Sequence, residues 1–338
     1  MNPNIAHIVY ASDDKFAEIL GVSLISLYEN SQDMDDLVVY VLDSGINEEN
    51  KNKIEEISKK YERELIHWIQ AKDINKELSI KAKTDRGSLS QYARLFISSD
   101  LPPNIDRVLY LDCDTIIVKS IRELWNLDLH GKTIGALRDA FSQQYRANID
   151  LKKNDVMFNS GVMLIDLAQW KDQKTEEQLL NFIQKKKGQI QQGDQGALNA
   201  VLSRDTFCFA PWFNSVTIFY DFNYNEMMIY RKPPKGFYSK EEIEKAVEDP
   251  VIIHFTTSFL SKRPWIVGSQ HQYADVWLKY RNASPWKTKT LWCDDRRGAK
   301  IIVDEVLKIL PRKTMIQVAG FAQAYGRPWK NRILRSIK

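Results

Sequence analysis

From its first residues the chain alternates two hydrophobic periodicities, and that alternation leaves few folds open. I-A-H-I-V-Y-A at 5–11 reads as a buried strand, and F-A-E-I-L-G-V-S-L-I-S-L-Y-E-N at 16–30 repeats at helical spacing, with Ile19, Leu20, Leu24 and Leu27 sharing a face. L-V-V-Y-V-L-D at 37–43 is a second strand, 47–62 a polar helix with Ile54 and Ile57 turned inward, and L-I-H-W-I-Q at 65–70 a third strand. S-L-S-Q-Y-A-R-L-F-I-S at 88–98 predicts a helix stopped by Leu101-Pro102-Pro103, because proline cannot continue the hydrogen-bond ladder. Strand, helix, strand, helix, strand argues for an α/β fold, a mainly parallel Rossmann-like sheet flanked by helices with right-handed crossovers. Sheets of this kind bind ligands beyond the carboxyl ends of their strands.

A chain of 338 residues with 43% hydrophobic content can bury one sizeable core, so one main domain is expected. R-V-L-Y-L-D-C-D-T-I-I-V at 107–118 reads as a further strand carrying two aspartates. From about 130 to 265 the pattern is mixed, with short strands V-M-L-I-D-L and V-I-I-H-F, a helix at about 174–186 and aromatic loops. The expected division is a main α/β unit over 1–265 and a helical, basic segment over 266–338. That segment holds an amphipathic helix A-K-I-I-V-D-E-V-L-K-I-L at 299–310, a break at Pro311, and basic residues interleaved with Phe321, Tyr325, Trp329, Ile333 and Leu334.

The formal charge of +4 is mild for this length and argues against a nucleic-acid partner. Its distribution says more, because no acidic residue follows Glu305 while eight Lys and Arg residues do. Basic residues among aromatics suggest either an anchor on the anionic inner face of a membrane or a segment packed on the body of the protein. Cys113, Cys208 and Cys293 are far apart and odd in number, which fits a reducing compartment. The apolar stretch Ile5–Ala11 runs straight into Asp13 and Asp14, too short and too acidic for a signal peptide, and no window is long enough to span a bilayer. The expected location is the cytoplasm, with peripheral contact at the inner membrane face through the tail.

Alternation along a strand would project Asp112 and Asp114 to one side and turn Cys113 away. Two adjacent carboxylates repel unless a cation lies between them, and oxygen ligands of this kind suit Mn²⁺ or Mg²⁺ with a diphosphate completing the shell. Asp33-Met34-Asp35 matches the same bare pattern, but in a turn before a strand. Asp112 and Asp114 interrupt an apolar strand, where unpaired carboxylates would be costly, so they are read as metal ligands rather than turn formers. His254, ending V-I-I-H, is either a nitrogen ligand to the same ion or a hydrogen-bonded core residue. Lys262-Arg263-Pro264-Trp265 offers cations to a phosphate, or else forms a solvated basic turn.

Taken together, Y-A-S-D-D-K at 10–15, Y-A-R-L at 92–95, L-Y-L-D-x-D at 109–114, F-N-S-G-V-M-L-I-D-L-x-x-W at 158–170, G-D-Q-G-A-L-N at 193–199 and H-F followed by R-P-W resemble family 8 glycosyltransferases. These are retaining enzymes of GT-A fold, among them bacterial lipopolysaccharide galactosyl- and glucosyltransferases and glycogenin. The resemblance covers roughly residues 5 to 265. It implies transfer of glucose or galactose from a UDP-hexose donor to a glycan, glycolipid or glycoprotein acceptor in cell-surface polysaccharide synthesis. It places Ala11, Asp13, Lys15 and Phe16 on the uracil and ribose, and Arg94 on the donor sugar and its phosphate. Asp112, Asp114 and His254 would hold Mn²⁺ against the diphosphate, with Cys113 among the UDP-sugar-binding positions. Asn159, Asp194 and Gln195 would contact the transferred sugar, and Asp139 would lie near the acceptor. Arginine precedes the Pro-Trp pair where the family usually has lysine, and T-T-S-F-L-S at 256–261 intervenes, so either Lys262 or Arg263 would meet the diphosphate.

The implied chemistry leaves Gln195, a poor nucleophile, nearest the far face of the sugar, which favours same-face attack through an ion-pair-like transition state with Asp194 as the alternative nucleophile. Two other classes compete. A phosphohydrolase would use Asp112 to attack phosphorus, as in the haloacid-dehalogenase loop, but Ile116 stands where that loop expects threonine or valine. A non-catalytic UDP-sugar-binding protein would not need the metal and sugar motifs intact.

Overall fold

The computed structural model describes residues 4–82, 88–294 and 309–336. Ten strands form two sheets: β1 Ile5–Ser12, β2 Asp36–Asp43, β3 His67–Gln70, β4 Arg107–Leu111, β5 Thr115–Ile117, β6 Ile134–Arg138, β7 Phe158–Asp166, β8 Thr206–Cys208, β9 Ser215–Val216 and β10 Ile252–His254. The large sheet runs β3-β2-β1-β4-β7-β6-β8, and β7 alone is antiparallel to its neighbours. This is the mainly parallel sheet flanked by helices that the hydrophobic alternation predicts. β5, β10 and β9 make the small second sheet.

Each face of the large sheet has its own core. Because strand residues alternate sides, Ala6, Ile8 and Tyr10 of β1 join one apolar cluster while Val9 joins the other. The helix Ala17–Asn30 is buried almost throughout rather than along one face. It lies between the sheet side, the helix Glu48–Lys60 and the helix Ala274–Asn282, so even Glu18 is enclosed and bonds Arg281 at 2.8 Å.

Two local expectations change. The strand predicted over 107–118 is two strands, one in each sheet, with Asp112, Cys113 and Asp114 in the turn between them. The helix predicted over 88–98 is a 3₁₀ segment, Ser90–Phe96, followed by a single α-turn, Ile97–Asp100. Burial of every residue from Tyr92 to Phe96 accounts for its lack of an amphipathic stripe. Most of the amphipathic helix expected at 299–310 lies outside the described residues.

The C-terminal residues pack on the body. Trp277, Tyr280 and Trp286 belong to the first core, and Asn30 donates to the Tyr280 hydroxyl at 2.9 Å. The helix Arg312–Phe321 continues through a π-turn, Ala322–Gly326, into Arg327–Ser336. Gly320 abuts the helix Tyr224–Arg231 so closely that a Cβ there would stand 2.7 Å from the Ile229 carbonyl oxygen. No helix among the described residues is long and apolar enough to cross a membrane.

Candidate active site

The end of β4 and the start of β5 set the position of the two aspartates. The Asp112 amide donates to the Gly161 carbonyl at 2.7 Å, Thr115 Oγ1 donates to the Asp112 carbonyl at 2.8 Å, and Phe255 N donates to the Asp114 carbonyl at 2.9 Å. The backbone on either side of both carboxylates is therefore tied to β7 and to the residue after β10. The turn, not strand alternation, brings the carboxylates to a common point. There they meet His254, and one ligand atom from each residue lies within 4.8 Å of the other two.

The imidazole is oriented from behind. Asn214 donates its amide to Asn159 Oδ1 at 3.0 Å, which leaves Asn214 Oδ1 as an acceptor for His254 Nδ1, also at 3.0 Å. Nδ1 must then carry the hydrogen, and Nε2 is turned toward Asp114 Oδ1 at 3.1 Å and Asp112 Oδ2 at 3.8 Å. A bare Nε2 lone pair facing two carboxylates is repulsive unless a proton or a cation lies between them. Two hard oxygens and one imidazole nitrogen suit a divalent cation such as Mn²⁺, so the residues fit the ion that sequence reading expects. Gly161 leaves room for this convergence, since a Cβ there would sit 2.1 Å from His254 Cε1 and 2.8 Å from Asp112 Oδ2.

Arg94 supports the acidic group from below. Buried at 6% exposure, it donates to Asp112 Oδ1 and to the Ser160 carbonyl, both at 2.7 Å, and pairs with Asp194 at 3.2 Å. Burial opposes its charge, but Asp112, Tyr110 and Asp194 more than offset this, and its basicity is raised. Tyr110 lies under the guanidinium, 4.3 Å from ring centroid to Cζ, and its hydroxyl donates to Asp112 at 3.1 Å. On the other side Arg263 reaches Asp114 Oδ2 at 3.2 Å, while Lys262 pairs with Asp294 at 3.2 Å.

Above this group opens a cleft of about 760 Å³, lined by Lys15, Phe16, Asp139, Asn159, Gln195, Lys262 and Arg263 among the residues singled out in the sequence. Gln195 and Asn159 sit on its floor, Gln195 Oε1 accepting from Ser160 N at 3.2 Å. Asp194 does not line the cleft; it is buried against Arg94 in the first turn of the helix Gly193–Leu202. Asp13 caps a 3₁₀ turn by accepting from Phe16 N at 3.2 Å, and Ala11 accepts from the Cys113 thiol at 3.3 Å. The Cys113 side chain thus points into the core, where burial raises its thiol. Asp139, half-buried at the far end, is raised by desolvation, against the pull of Arg231 and a hydrogen bond from Gln195.

Several contributors escaped the sequence reading. Asn214 carries no motif signal of its own, and Ser160, inside the F-N-S-G motif, is assigned no role there. Trp292 stands edge-on to Phe16 at 5.6 Å and to Trp265 at 6.3 Å, under the ammonium of Lys15 at 5.2 Å, walling one end of the cleft. Arg231, Gln323, Arg327 and Asn331 wall the other.

Comparison with known proteins agrees with this architecture. The chain is 28% identical over 287 residues to general stress protein A of Bacillus subtilis, covering 84% of this chain and 96% of that protein. It is 25% identical over 301 residues to the lipopolysaccharide 1,2-glucosyltransferase of Escherichia coli, covering 88% and 82% of the two chains. In fold it resembles the galactosyltransferase LgtC crystallised with donor and acceptor sugar analogues, with a TM-score of 0.69 and 23% identity over 84% of this chain and 99% of that one. The family model for glycosyl transferase family 8 matches residues 7–266, most of the chain. With its mainly parallel sheet, its acidic group at the strand tips and this match, the chain belongs to glycosyl transferase family 8 and is a glycosyltransferase of GT-A fold.

Proposed function

We propose that the protein transfers glucose or galactose from a UDP-sugar, with retention at the anomeric carbon, to a glycan acceptor used in cell-surface polysaccharide or lipopolysaccharide synthesis. The observation that carries this reading is the convergence of Asp112, Asp114 and the oriented Nε2 of His254 beneath a cleft lined by cations. A divalent ion held by these three residues would supply positive charge to the departing diphosphate. Arg263, already beside Asp114, is assigned to the leaving phosphate, and Lys262 to the cleft wall. Phe16, Lys15 and Trp292 offer the flat, partly apolar surface that a nucleobase requires.

Retention is supported by what faces the sugar. Gln195 is an amide whose oxygen already accepts a hydrogen bond, and Asp194 is held on Arg94. Neither is placed as a free carboxylate nucleophile. In the proposed step the anomeric carbon–phosphate oxygen bond breaks as the acceptor oxygen bonds the same face, and the leaving phosphate oxygen takes the acceptor's proton. Arg94 holds Asp112 in place, and Asn159 and Gln195 position the hexose.

The exposed Phe321, Tyr325 and Trp329, with Lys330 and Arg332 around them, support a second element of the proposal, peripheral contact with an anionic membrane surface. The enzymatic reading is tested by following UDP release from UDP-glucose and UDP-galactose with Mn²⁺ and determining the anomer of the product. An inverted anomer, or UDP release that Asp114→Asn leaves intact, refutes it.

A further inference from the structure

Among the described residues six cations line the cleft, Lys15, Arg138, Arg231, Lys262, Arg263 and Arg327, against two carboxylates, Asp139 and Asp294. At the end that holds the acidic group this excess is accounted for, because Lys262 pairs with Asp294 and Arg263 with Asp114, and a diphosphate would draw on both. At the opposite end it is not. Arg231 lies over Phe141, its Cζ 5.0 Å from the ring centroid, and its buried Nε has no hydrogen-bond partner among the described residues. Among the described residues Arg327 bonds only a neutral group, Gln323 Oε1 at 3.2 Å. Asp139 is the one carboxylate lining this end among the described residues.

The wall that carries Arg327 is held by specific bonds. Ser142 Oγ donates to the Ala324 carbonyl at 2.6 Å and the Tyr145 hydroxyl to the Gln323 carbonyl at 2.9 Å, both inside the π-turn. Asn148 Nδ2 donates to the Pro328 carbonyl at 3.0 Å, one turn further on. Side chains thus take up carbonyls where the helical ladder is widened, a device found at functional helices. Gln323, Arg327 and Asn331, spaced by four, consequently face the cleft together. The Phe141 ring beneath Arg231 lies 4.6 Å from the Tyr145 ring, whose hydroxyl donates to the carbonyl of Gln323, one helical turn before Arg327. This wall lies beyond residue 266, where the family match ends.

We propose that the C-terminal helix completes an acceptor subsite for an anionic glycan, in which Arg231 and Arg327 bind a phosphate or carboxylate next to the hydroxyl that is glycosylated, with Gln323 and Asn331 as neutral hydrogen-bonding partners. The inference rests on the donor reading above. Two guanidinium groups suit either anion, since both present paired oxygens to planar donors.

The test uses the full chain with Mn²⁺ and whichever of UDP-glucose and UDP-galactose it hydrolyses, and three acceptors that differ in one group: a neutral hexoside, its 6-phosphate and its 6-carboxylate. The expected result is a kcat/KM for one or both anionic acceptors about 10-fold or more above the neutral one, an advantage that shrinks with added salt. Arg327→Gln should raise KM for the anionic acceptor while UDP-sugar hydrolysis in water continues. Phosphate against carboxylate preference identifies the anion. Equal use of the neutral hexoside, or an anionic advantage untouched by Arg327→Gln, overturns the inference. If none of the three is glycosylated, calorimetry of the phosphorylated and carboxylated hexosides with the UDP-loaded protein decides, and absence of Arg327-dependent binding overturns it. Loss of UDP-sugar hydrolysis and of manganese-dependent UDP binding in the unaltered protein would instead refute the donor reading.

Discussion

At the scale of single residues, the site is built on an oriented imidazole. Asn214 presents an oxygen to His254 only because its amide nitrogen is spent on Asn159, so losing Asn214 frees the ring to rotate or change tautomer. Asn214→Ala is expected to weaken Mn²⁺ binding by about 10- to 100-fold in calorimetry while the far-ultraviolet circular dichroism stays unchanged. Unaltered affinity would show that the Asn214 hydrogen bond does not set the imidazole for the ion. Asp139 offers a separate test because desolvation raises its carboxyl above the usual range. A carboxyl whose folded pKa is raised favours folding in its protonated form, and that advantage disappears as pH rises through the ordinary and then the folded value. At neutral pH the ionised group is therefore a cost. Asp139→Asn should raise the melting temperature at pH 7 by roughly 1–3 °C, lose that gain in acid, and lower sugar transfer.

At the scale of elements, a buried ion pair fastens the C-terminal part of the chain to the sheet domain. Glu18 on the helix Ala17–Asn30 meets Arg281 on the helix Ala274–Asn282 at 2.8 Å, both almost fully enclosed, with Lys289 at 3.5 Å. Arg281 also donates to the Lys289 carbonyl, on the segment that leads to Trp292. Removing one partner strands a buried charge, so Glu18→Ala should cost about 3–5 kcal/mol in urea unfolding. The double variant Glu18→Leu with Arg281→Met should lose far less, since it leaves no charge behind. Equal losses in the two variants would mean that packing, not charge, holds the helices together. Gly21 lies on the same surface, where a Cβ would stand 2.4 Å from the Trp286 ring, so this helix contact admits little adjustment.

At the scale of the whole molecule, acid is expected to act through His271. Burial lowers this histidine from 6.5 to about 4, and its ring packs edge-on against Tyr220 and Phe255. The unfolded chain therefore takes up a proton that the folded one refuses, and stability present above pH 6.5 is lost as pH falls toward about 4. The full effect is about 3 kcal/mol. His271→Phe should flatten the urea-unfolding free energy across that window, and an unchanged slope would locate the acid sensitivity elsewhere. The basic C-terminal face makes a prediction on the same scale. Truncation after Pro311 should abolish co-sedimentation with vesicles rich in anionic lipid, and persistent binding by the truncated chain would remove the membrane element of the proposal.

The α/β class and the mainly parallel sheet are legible from residue order alone, because hydrophobic period is a local property that each segment carries wherever it packs. Motif order sufficed for the family, and Asp112 and Asp114 stand out in the sequence because they interrupt an apolar stretch. Only the tertiary structure decided that those aspartates leave one sheet for another, that Arg94 is buried beneath them, and that Asp194 is tied to it. Asn214 and His254 are separated by 40 residues, and the π-turn meets Ser142 across 182. Such contacts have no periodicity to betray them. They exist because the folded chain excludes water around polar groups and leaves each of them to find a partner in whatever segment lies beside it.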